Sequence, residues 1–462
     1  MTLFLLILTG TVIPVAPGES IQSAMDIAVP GDTVLVLPGI HSGSGANLLS
    51  INGSHNGVVL TGNMLDPSTV VLSGQGLTGS IISVDGLSFG PVDSTTVISG
   101  LLFSEGMPLT EPFGGALYTW HASPLIEFCL FQGNKADNGG AIYSWKGAPV
   151  IRFCLFEGNE CQSAGGAVYL YSSNAAIISC RFADNKSWDD GGGLYTYHCS
   201  PVVFNCLFSG GYAHDDGAGI YCYALSDPMV SFCTFYGNEA QNTGSAVYFR
   251  VDCSPEISHC IITGNTGPAF FIQSGGNPVF SYNCSWGNPD GNYGNLPDPT
   301  GTSGNISVDP LLVGDMYLSH SNAGQPETSP CIDAGGDYSL EYGLEYTWTR
   351  TDSVPDSSLV DMGFHHGAQD NSQSGPEGES IMGMTVFPNP ASSAFTVCYP
   401  ADGQWTSLDV FDLSGRLVYT GLPAVSGSRS VNTAELGGNG VYIVRLSGNS
   451  SPLSAAVTVL AD

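Results

Sequence analysis

The feature that most constrains this chain is a repeat of 25 to 27 residues across its middle. The stretch GGALYTWHASPLIEFCLFQGNK, residues 114–135, returns almost unchanged as GGAIYSWKGAPVIRFCLFEGNE, residues 139–160. A tyrosine marks the same place in each copy, at Tyr118, Tyr143, Tyr169, Tyr195, Tyr221 and Tyr248. Self-similarity at a fixed period of this size is typical of proteins built from stacked units.

The composition of the repeat identifies the kind of unit. Each copy is rich in Gly, β-branched and aromatic residues, and it shows no apolar stripe with a 3.6-residue period. A unit this short cannot bury its own apolar face, so the copies have to stack. Parallel stacking places equivalent residues about 4.8 Å apart. We therefore predict an all-β fold, a right-handed parallel β-helix with one coil per repeat, followed by a small C-terminal β-sandwich of the Ig-like type.

Alternation along the strands predicts which columns face inward. The aliphatic residues before each tyrosine should point into the core, namely Leu117, Ile142, Val168, Leu194, Ile220 and Val247. A second aliphatic column should do the same after the next turn, at Ile126, Ile151, Ile177, Val203, Val230 and Ile257. The tyrosine column faces outward. A second outward column lies two residues further on, at Trp120, Trp145, Tyr171, Tyr197, Tyr223 and Arg250.

Cysteine and asparagine also recur once per coil. The cysteines are Cys129, Cys154, Cys180, Cys206, Cys233, Cys260 and Cys284. We expect free thiols that fill the core, because the parallel Cβ directions of neighbouring coils suit a disulfide poorly. The asparagines predict a stacked turn ladder that Gly211 interrupts, at Asn134, Asn159, Asn185, Asn238, Asn265 and Asn288.

The net charge and the N-terminal residues limit the possible partners and the cellular location of the protein. Only 10 Lys and Arg residues stand against 41 Asp and Glu, for a net charge of −31, which disfavours nucleic acid and anionic membranes as partners. Residues 1–17 carry an uncharged apolar run that predicts a signal peptide, with a buried first strand as the alternative. No other stretch predicts a membrane span. After it, Ser20 is a candidate N-cap for a short helix with Ile21, Ala24 and Met25 on its buried face.

Several segments resemble known families of exported proteins. The entry SIQSAMDIAVPGDTVLVLPGIH and the closing segments VDPLLVGDMYLSHSNAGQPETSPCIDAGGDYS and VDMGFHHG are similar to secreted pectate-lyase-like β-helix proteins. The GGA-aliphatic and F-x-x-N motifs resemble the repeats of chlamydial polymorphic membrane proteins, although the chain lacks the autotransporter barrel of that family. We accordingly expect the β-helix to occupy residues 18–369.

The C-terminus predicts the export route. Residues 385–462 contain short alternating strands and Gly-rich turns, typical of an all-β sandwich, after a polar linker at 370–384. They resemble the type A sorting domain of the type IX secretion system. The matching residues are Pro388, Asn389, Pro390, Asp412 to Gly415, Gly440, Tyr442 and Arg445. This resemblance implies passage through the periplasm, contact with the secretion machinery, and a place in the medium or on the outer cell surface.

The two outward aromatic columns predict a ligand-binding face. Exposed rings in an ordered row suit the apolar faces of sugars, whereas the alternative is that the rings only reinforce the sheet. The candidate contacts are Tyr118, Trp120, Tyr143, Trp145, Tyr169, Tyr171, Tyr195, Tyr197, Tyr221 and Tyr223.

An acidic cluster is the second candidate site. Asp189 and Asp190 precede one glycine turn, and Asp215 and Asp216 precede the next, one coil later. Stacked carboxylates repel, so they predict either a Ca²⁺ site or raised pKa values, unless they are only solvated turn residues. Paired carboxylates could instead hydrolyse glycosides, with His198 and His214 as helpers. A lyase is less favoured, because its base and its positive charge would need Lys or Arg, which are scattered along the repeats.

These patterns predict an exported, monomeric β-helix protein that binds a polysaccharide or a cell-surface partner, as an adhesin does. The alternative is a polysaccharide hydrolase that uses the acidic cluster. No cofactor is indicated other than the Ca²⁺ considered above.

Overall fold

The computed structural model describes residues 10–109 and 112–367, together with strands between residues 385 and 459. The chain forms two compact units. One consists of residues up to 281 and residues 285–307, and the other of residues 282–284 and the chain from 308 onward.

The first unit is a parallel β-helix in which each coil adds one strand to each of three long sheets. Sheet 1 contains Leu49–Ile51, Ile82–Asp85, Leu117–Trp120, Ile142–Trp145, Val168–Tyr171, Leu194–Tyr197, Ile220–Tyr223, Val247–Arg250, Phe270–Ile272 and Tyr293–Gly294. Sheet 2 contains Val12–Val15, Thr33–Val36, Val59–Thr61, Val97–Ser99, Leu125–Glu127, Val150–Arg152, Ala176–Ile178, Val202–Phe204, Met229–Ser231, Glu256–Ser258 and Val279–Ser281. Sheet 3 contains Gly39–His41, Val70–Ser73, Leu102–Ser104, Leu130–Gln132, Leu155–Glu157, Arg181–Ala183, Leu207–Ser209, Thr234–Tyr236, Ile261–Thr263 and Cys284–Trp286.

A fourth, shorter sheet closes the middle coils between sheet 3 and the next strand of sheet 1. Its strands are Lys135–Asn138, Glu160–Ala164, Lys186–Ser187, Tyr212–Ala213 and Glu239–Ala240. A register irregularity between Ala136 and Asn138 distinguishes its first pairing from the regular ladders. Two short 3₁₀ helices, Gly53–His55 and Pro67–Thr69, connect earlier strands.

The register confirms the predicted columns. Tyr118 pairs with Tyr143 and Trp120 with Trp145, and the same in-register pairing continues coil by coil. Every member of the two predicted inward aliphatic columns is fully buried. Phe103 stacks on Phe131 with 4.8 Å between ring centroids, and the phenylalanine stack continues to Phe235. The core is therefore a set of stacked side-chain ladders.

The double glycine of the earlier repeats suits the turn between sheets 4 and 1, and the last two copies keep only the first glycine, with Ala218 and Ser245 in the second place. Gly139 has a φ of +63°, and a Cβ there would lie 2.2 Å from the carbonyl oxygen of Ile142. A Cβ on Gly140 would lie 2.1 Å from the carbonyl oxygen of Gly166 in the next coil. The first glycine supplies the left-handed conformation and the second allows adjacent coils to approach.

The asparagine column forms the predicted ladder. Nδ2 of Asn159 donates to the carbonyl of Phe131 (2.8 Å) and to Oδ1 of Asn185 (2.9 Å). Asn134, Asn238 and Asn265 repeat this pattern with their own neighbours. At the interruption, the backbone N–H of Gly211 donates to Asn238. The ladder thus satisfies buried turn carbonyls that would otherwise be costly to desolvate.

The cysteine column is buried as predicted, and its thiols donate to backbone carbonyls. Sγ of Cys180, for example, lies 3.5 Å from the carbonyl oxygen of Ile151 and 3.4 Å from that of Ile178. Burial raises the pKa of the Cys233 and Cys260 thiols well above the ordinary value, which disfavours the reactive thiolate. The redox state of the ladder stays a prediction.

The start of the described chain is part of the fold. The strand Val12–Val15 pairs in parallel with Thr33–Val36, and Val15 is buried. Val12 is 58% exposed, so this strand is not buried throughout. Residues 1–9 lie outside the described part, and the signal peptide and its alternative both stay predictions. The predicted helix is present at Ile21–Ile27, and the side chain of Ser20 accepts from the N–H of Ser23 (3.1 Å). Ile21, Ala24 and Met25 are buried, as expected.

The second unit is less regular. It contains the antiparallel pair Leu312–Val313 and Tyr317–Leu318 and the 3₁₀ helices Ser321–Ala323 and Ser339–Tyr342. Its later part has antiparallel strands in two sheets. One consists of Thr385–Phe387, Ala394–Cys398 and Ser428–Asn432, and the other of Leu417–Gly421, Trp405–Asp412, Gly440–Gly448 and Leu453–Val459. The all-β prediction is confirmed, the Ig-like arrangement stays a prediction, and the linker at 370–384 lies outside the described residues. Among the described residues, no helix has the length and apolar character needed to cross a membrane.

Candidate functional site

The first aromatic column faces outward but is not displayed, which corrects the sequence-based expectation. Tyr143, Tyr195, Tyr221 and Tyr248 are buried, whereas Tyr118 and Tyr169 are half-buried. Three of these rings, those of Tyr195, Tyr221 and Tyr248, form a cluster of their own with Ala164 outside the main core, and Tyr169 packs against it. The register was predicted correctly, but the outward direction did not mean exposure.

Residues at the end of sheet 4 and in the loop that leads from it into sheet 1 pack against these tyrosines. They form a column in which bridges join adjacent coils, namely Phe113 with Asn138, Ala164 with Asp190, and Asp216 with Thr243. The Phe113 ring lies 4.7 Å from that of Tyr143, and Ala164 packs into the tyrosine cluster. Burial raises the pKa of these phenols, to about 12 at Tyr248. Five of the ten candidate ligand contacts, those of the first column, are therefore buried or half-buried packing residues, as the sheet-reinforcement alternative requires.

The second aromatic column is accessible along its length. Trp120 is 39% exposed, and Trp145, Tyr171, Tyr197 and Tyr223 are half-buried. Successive ring centroids are 5.5, 5.8, 4.9 and 5.1 Å apart. The guanidinium of Arg250 lies 5.2 Å from the Tyr223 ring and ends the row.

Ring orientation determines what this column offers to a ligand. Trp120 and Trp145 are stacked with 6° between their planes, so each covers one face of the other. Tyr171 is rotated by 70° relative to Trp145, and the tyrosines that follow are tilted by 39° and 43°. The column therefore presents the outer face of Trp120, the tilted tyrosine rings and their hydroxyls.

The acidic cluster lies in the loops that precede the strands of Tyr197 and Tyr223, and Arg250 of the following coil approaches it. Carboxylate oxygens of Asp189, Asp190 and Asp215 all lie within 4.8 Å of one another. Asp216 belongs to the same loops, but its Oδ1 accepts from the backbone N–H (3.0 Å) and the hydroxyl (2.7 Å) of Thr243. The structure thus gathers three of the four predicted aspartates and gives the fourth a structural bond.

Asp190 is the most enclosed of the three. Its side chain is 13% exposed, and its Oδ1 accepts from the N–H of Asp216 (3.2 Å). Burial first, and then repulsion from Asp189 and Asp216, raises the pKa of Asp190 to about 7. Burial and the neighbouring Asp215 also raise the pKa of Asp189. The cluster therefore holds a carboxyl group that changes its charge near neutral pH.

Arg250 is the functional residue that the sequence did not connect to this cluster. Its Nη1 lies 3.9 Å from Oδ2 of Asp190 and donates to the phenol oxygen of buried Tyr221 (2.9 Å). The Arg250 side chain is nevertheless 40% exposed, so part of the guanidinium faces solvent. The basic residues are scattered along the repeats as expected, but Arg250 reaches the carboxylates from a strand two coils further along the stack.

The two candidate helper histidines have different positions. Nδ1 of His214 lies 3.0 Å from Oδ1 of Asp215, at the exposed edge of the cluster. His198 instead follows Tyr197 at the next turn and contacts its ring, with 4.3 Å between centroids. Only His214 is positioned to orient a carboxylate of this site.

The donor set fits a calcium ion. Calcium binds carboxylate oxygens at about 2.4 Å, so oxygens that lie this close together can share one ion. Arg250 is the competing source of positive charge, because it already approaches Asp190. Asp189, Asp190 and Asp215 would hold the ion, which would lower the repulsion among them.

Fold and sequence together define the class. This is an exported right-handed parallel β-helix protein that carries a C-terminal secretion sorting domain. Residues 93–235 and 205–309 match the family described as "Right handed beta helix region", and residues 385–459 match "Secretion system C-terminal sorting domain". The sorting domain indicates delivery to the cell surface or the medium.

Several solved structures are similar to this chain at low sequence identity. The A-module of mannuronan C-5 epimerase AlgE6 from Azotobacter vinelandii is 15% identical with a TM-score of 0.32, covering 63% of this chain and 94% of its own. Pectate lyase Pel9A is 14% identical with a TM-score of 0.34, covering 79% and 94%. Tailspike gp49 of Acinetobacter baumannii bacteriophage Fri1, a capsular polysaccharide depolymerase, is 12% identical with a TM-score of 0.26, covering 98% and 78%. Among curated protein sequences, none matches this chain.

Proposed function

We propose that the β-helix is a carbohydrate-binding module on an exported protein, which attaches to a polysaccharide or a glycosylated surface partner as an adhesin does. The observation that carries the proposal is the uninterrupted outward row from Trp120 to Tyr223, which ends at Arg250 and the acidic cluster. The sorting domain would deliver this face to the outside of the cell through the type IX secretion machinery.

The chemistry of the row suits a sugar chain. Aromatic rings bury apolar area at low entropic cost, and tyrosine hydroxyls add hydrogen bonds at the same place. Neighbouring rings already contact one another, so they lose little freedom when a ligand binds. The guanidinium of Arg250 donates hydrogen bonds and the aspartates accept them, which complements sugar hydroxyls. The net charge of −31 makes a strongly anionic ligand unfavourable unless a cation intervenes.

The proposal predicts that Trp120→Ala weakens glycan binding about tenfold, since Trp120 offers the open ring face of the row. Binding would be measured on an array of neutral and acidic oligosaccharides and then by calorimetry with the best ligand. Trp286→Ala is the matched control, because Trp286 is 42% exposed but lies on sheet 3. Equal affinity of Trp120→Ala and the native protein for every bound glycan would contradict the proposal.

Glycoside hydrolysis is a second candidate function, favoured by the raised pKa of Asp190. A carboxyl group that titrates near 7 can protonate a leaving oxygen at neutral pH while a neighbouring carboxylate, Asp189 or Asp215, attacks the sugar or activates water. Carboxyl groups about 5 Å apart are typical of the retaining mechanism.

Release of reducing ends from polysaccharides would test hydrolysis. If the cluster is catalytic, Asp190→Asn lowers kcat by at least about 100-fold while binding persists, because the proton donor is lost. Asp184→Asn, at an exposed turn after sheet 3, is the control variant. Retention of a glycan with no cleavage by the native protein would exclude this candidate and leave the binding function in place.

A further inference from the structure

We propose that Trp188 is a second stacking subsite for the same glycan, on the far side of the acidic cluster from the second aromatic column. The inference rests on the proposed carbohydrate-binding function. It assigns to the site a residue outside the repeated aromatic columns, and it implies a ligand long enough to cross the three aspartates.

The Trp188 side chain is exposed yet held in place. It is 43% exposed, and its Nε1–H donates to Oε1 of Glu160 in the preceding coil (2.6 Å). The ammonium of Lys186 lies 3.6 Å from the centre of the indole, and that of Lys135 lies 2.7 Å from Oε2 of Glu160. The hydrogen bonds from Lys135 and Trp188 lower the pKa of Glu160. Its carboxylate therefore stays ionised and continues to accept the hydrogen bond from the indole. Because Lys186 covers one face of the indole, the exposed area belongs to the opposite face and the edge.

Trp188 breaks the pattern of its own column. The register of sheet 4 pairs Glu160 with Lys186 and Cys161 with Ser187, so the equivalents of Trp188 in neighbouring coils are Gln162, His214 and Gln241. The aromatic residue therefore occurs in the coil that also carries Asp189 and Asp190, and it is absent from the equivalent places of those neighbours. Because the Trp188 ring is large, exposed and outside the hydrophobic core, core packing does not explain why this coil has an aromatic residue there.

Within one coil, Trp188 directly precedes Asp189 and Asp190, and Tyr197 of the second aromatic column follows them after the glycine turn. Asp190 also approaches Arg250 at 3.9 Å, and Arg250 lies against Tyr223. The carboxylates thus lie between two aromatic platforms, one on sheet 1 and one beside sheet 4. A sugar chain that stacks on both would place its intermediate residues over the carboxylates. Since the indole is already fixed, binding there costs little additional ordering.

The test is the affinity of the full chain for a size series of the best-bound oligosaccharide. We expect Trp188→Ala to weaken binding of the longest members about tenfold and to leave the shortest bound members unchanged. Trp188→Phe should restore most of the loss, because it keeps an aromatic face. Trp286→Ala, with equal exposure on another face, should bind every member as the native protein does. Unfolding midpoints of the variants establish that each is folded.

Two results would overturn the inference while the binding function stands. One is that Trp188→Ala binds every length as the native protein does, although Trp120→Ala is impaired. The other is that Trp188→Ala loses affinity equally for short and long ligands, because a separate subsite requires length dependence. If the native protein binds no glycan at all, the proposed function fails first and the subsite fails with it.

Discussion

The two aromatic columns of sheet 1 arise from the same strands, point to the same side and are in the same register, yet one is buried and the other is accessible. Tyr221 is fully buried, whereas Tyr223, two residues later on the same strand, is half-buried and touches Arg250. Ala164, at the end of sheet 4, packs with buried tyrosines of the first column, whereas Tyr197 and Tyr223 of the second are only partly buried against that cluster.

This comparison shows that a side chain on the outer side of a sheet is not necessarily exposed to solvent. In a β-helix, a residue outside the central core can still be enclosed by the turns of its own coil. The loop column that encloses the tyrosines changes from Asn138 and Ala164 to Asp190 and Asp216 in successive coils. The same structural position therefore holds an uncharged packing residue in some coils and an aspartate in others.

The largest expected effect tests whether the two columns differ in burial, by removing one ring from each. Tyr221→Ala should lower the free energy of unfolding by about 3 to 5 kcal/mol, because it empties a fully buried site and leaves Arg250 and Asp190 without the phenol. Tyr223→Ala, its matched control, should cost about 1 kcal/mol or less. Thermal and denaturant unfolding would measure both. Losses of equal size would show that the columns do not differ in burial.

The next largest effect concerns Asp190, in the loop beside the first column, rather than the rings. Burial raises the pKa of Asp190 from 3.8 to about 7, so the folded protein holds a proton in that range that the unfolded chain releases. The contribution of Asp190 to stability should therefore fall as pH rises from about 4 to 7, by on the order of 4 kcal/mol, and then level off.

Asp190→Asn should flatten that part of the profile of unfolding midpoint against pH. Some slope should remain, because burial also raises the pKa of Asp361 in the second unit to about 6. Asp184→Asn should leave the profile as it is. An unchanged slope in Asp190→Asn would show that this carboxyl group titrates normally.

The smallest effect is that of calcium. Millimolar Ca²⁺ should stabilise the native protein by about 1 to 2 kcal/mol at pH 8, because the ion offsets repulsion among Asp189, Asp190 and Asp215. The gain should shrink below pH 7 as Asp190 takes up its proton. Melting temperatures with calcium, with magnesium and with chelator would measure it. A calcium-dependent rise that persists in Asp189→Asn and Asp190→Asn would place the ion elsewhere.

Most of the fold could be predicted from the sequence, because residues that recur at the spacing of one coil lie above one another when the coils stack. The recurrence of Cys129 and Cys154, or of Asn134 and Asn159, specifies ladders without any knowledge of the turns. Ser20 was recognisable as a helix cap for the same reason, since capping depends on local chemistry.

The candidate site was only partly predictable. Spacing brought Asp189 and Asp215 together, but it could not reveal ring tilt, nor that Ala164 and Asp190 cover the tyrosines. Arg250 is 60 residues from Asp190 in the chain, and its side chain makes the contact across an offset of two coils. Trp188 was overlooked because it occurs once, and a search for repeats discards what is not repeated.

The identical register of successive coils has a consequence for how such a protein changes over time. Each coil is hydrogen-bonded to the coil above and the coil below through equivalent positions, so recombination between two copies adds or removes a whole layer and leaves the remaining junctions matched. The length of the outer surface can therefore grow or shrink in steps of one layer. Chemistry specific to one layer, such as an indole beside a pair of acids, can be acquired without disturbing the rest of the stack.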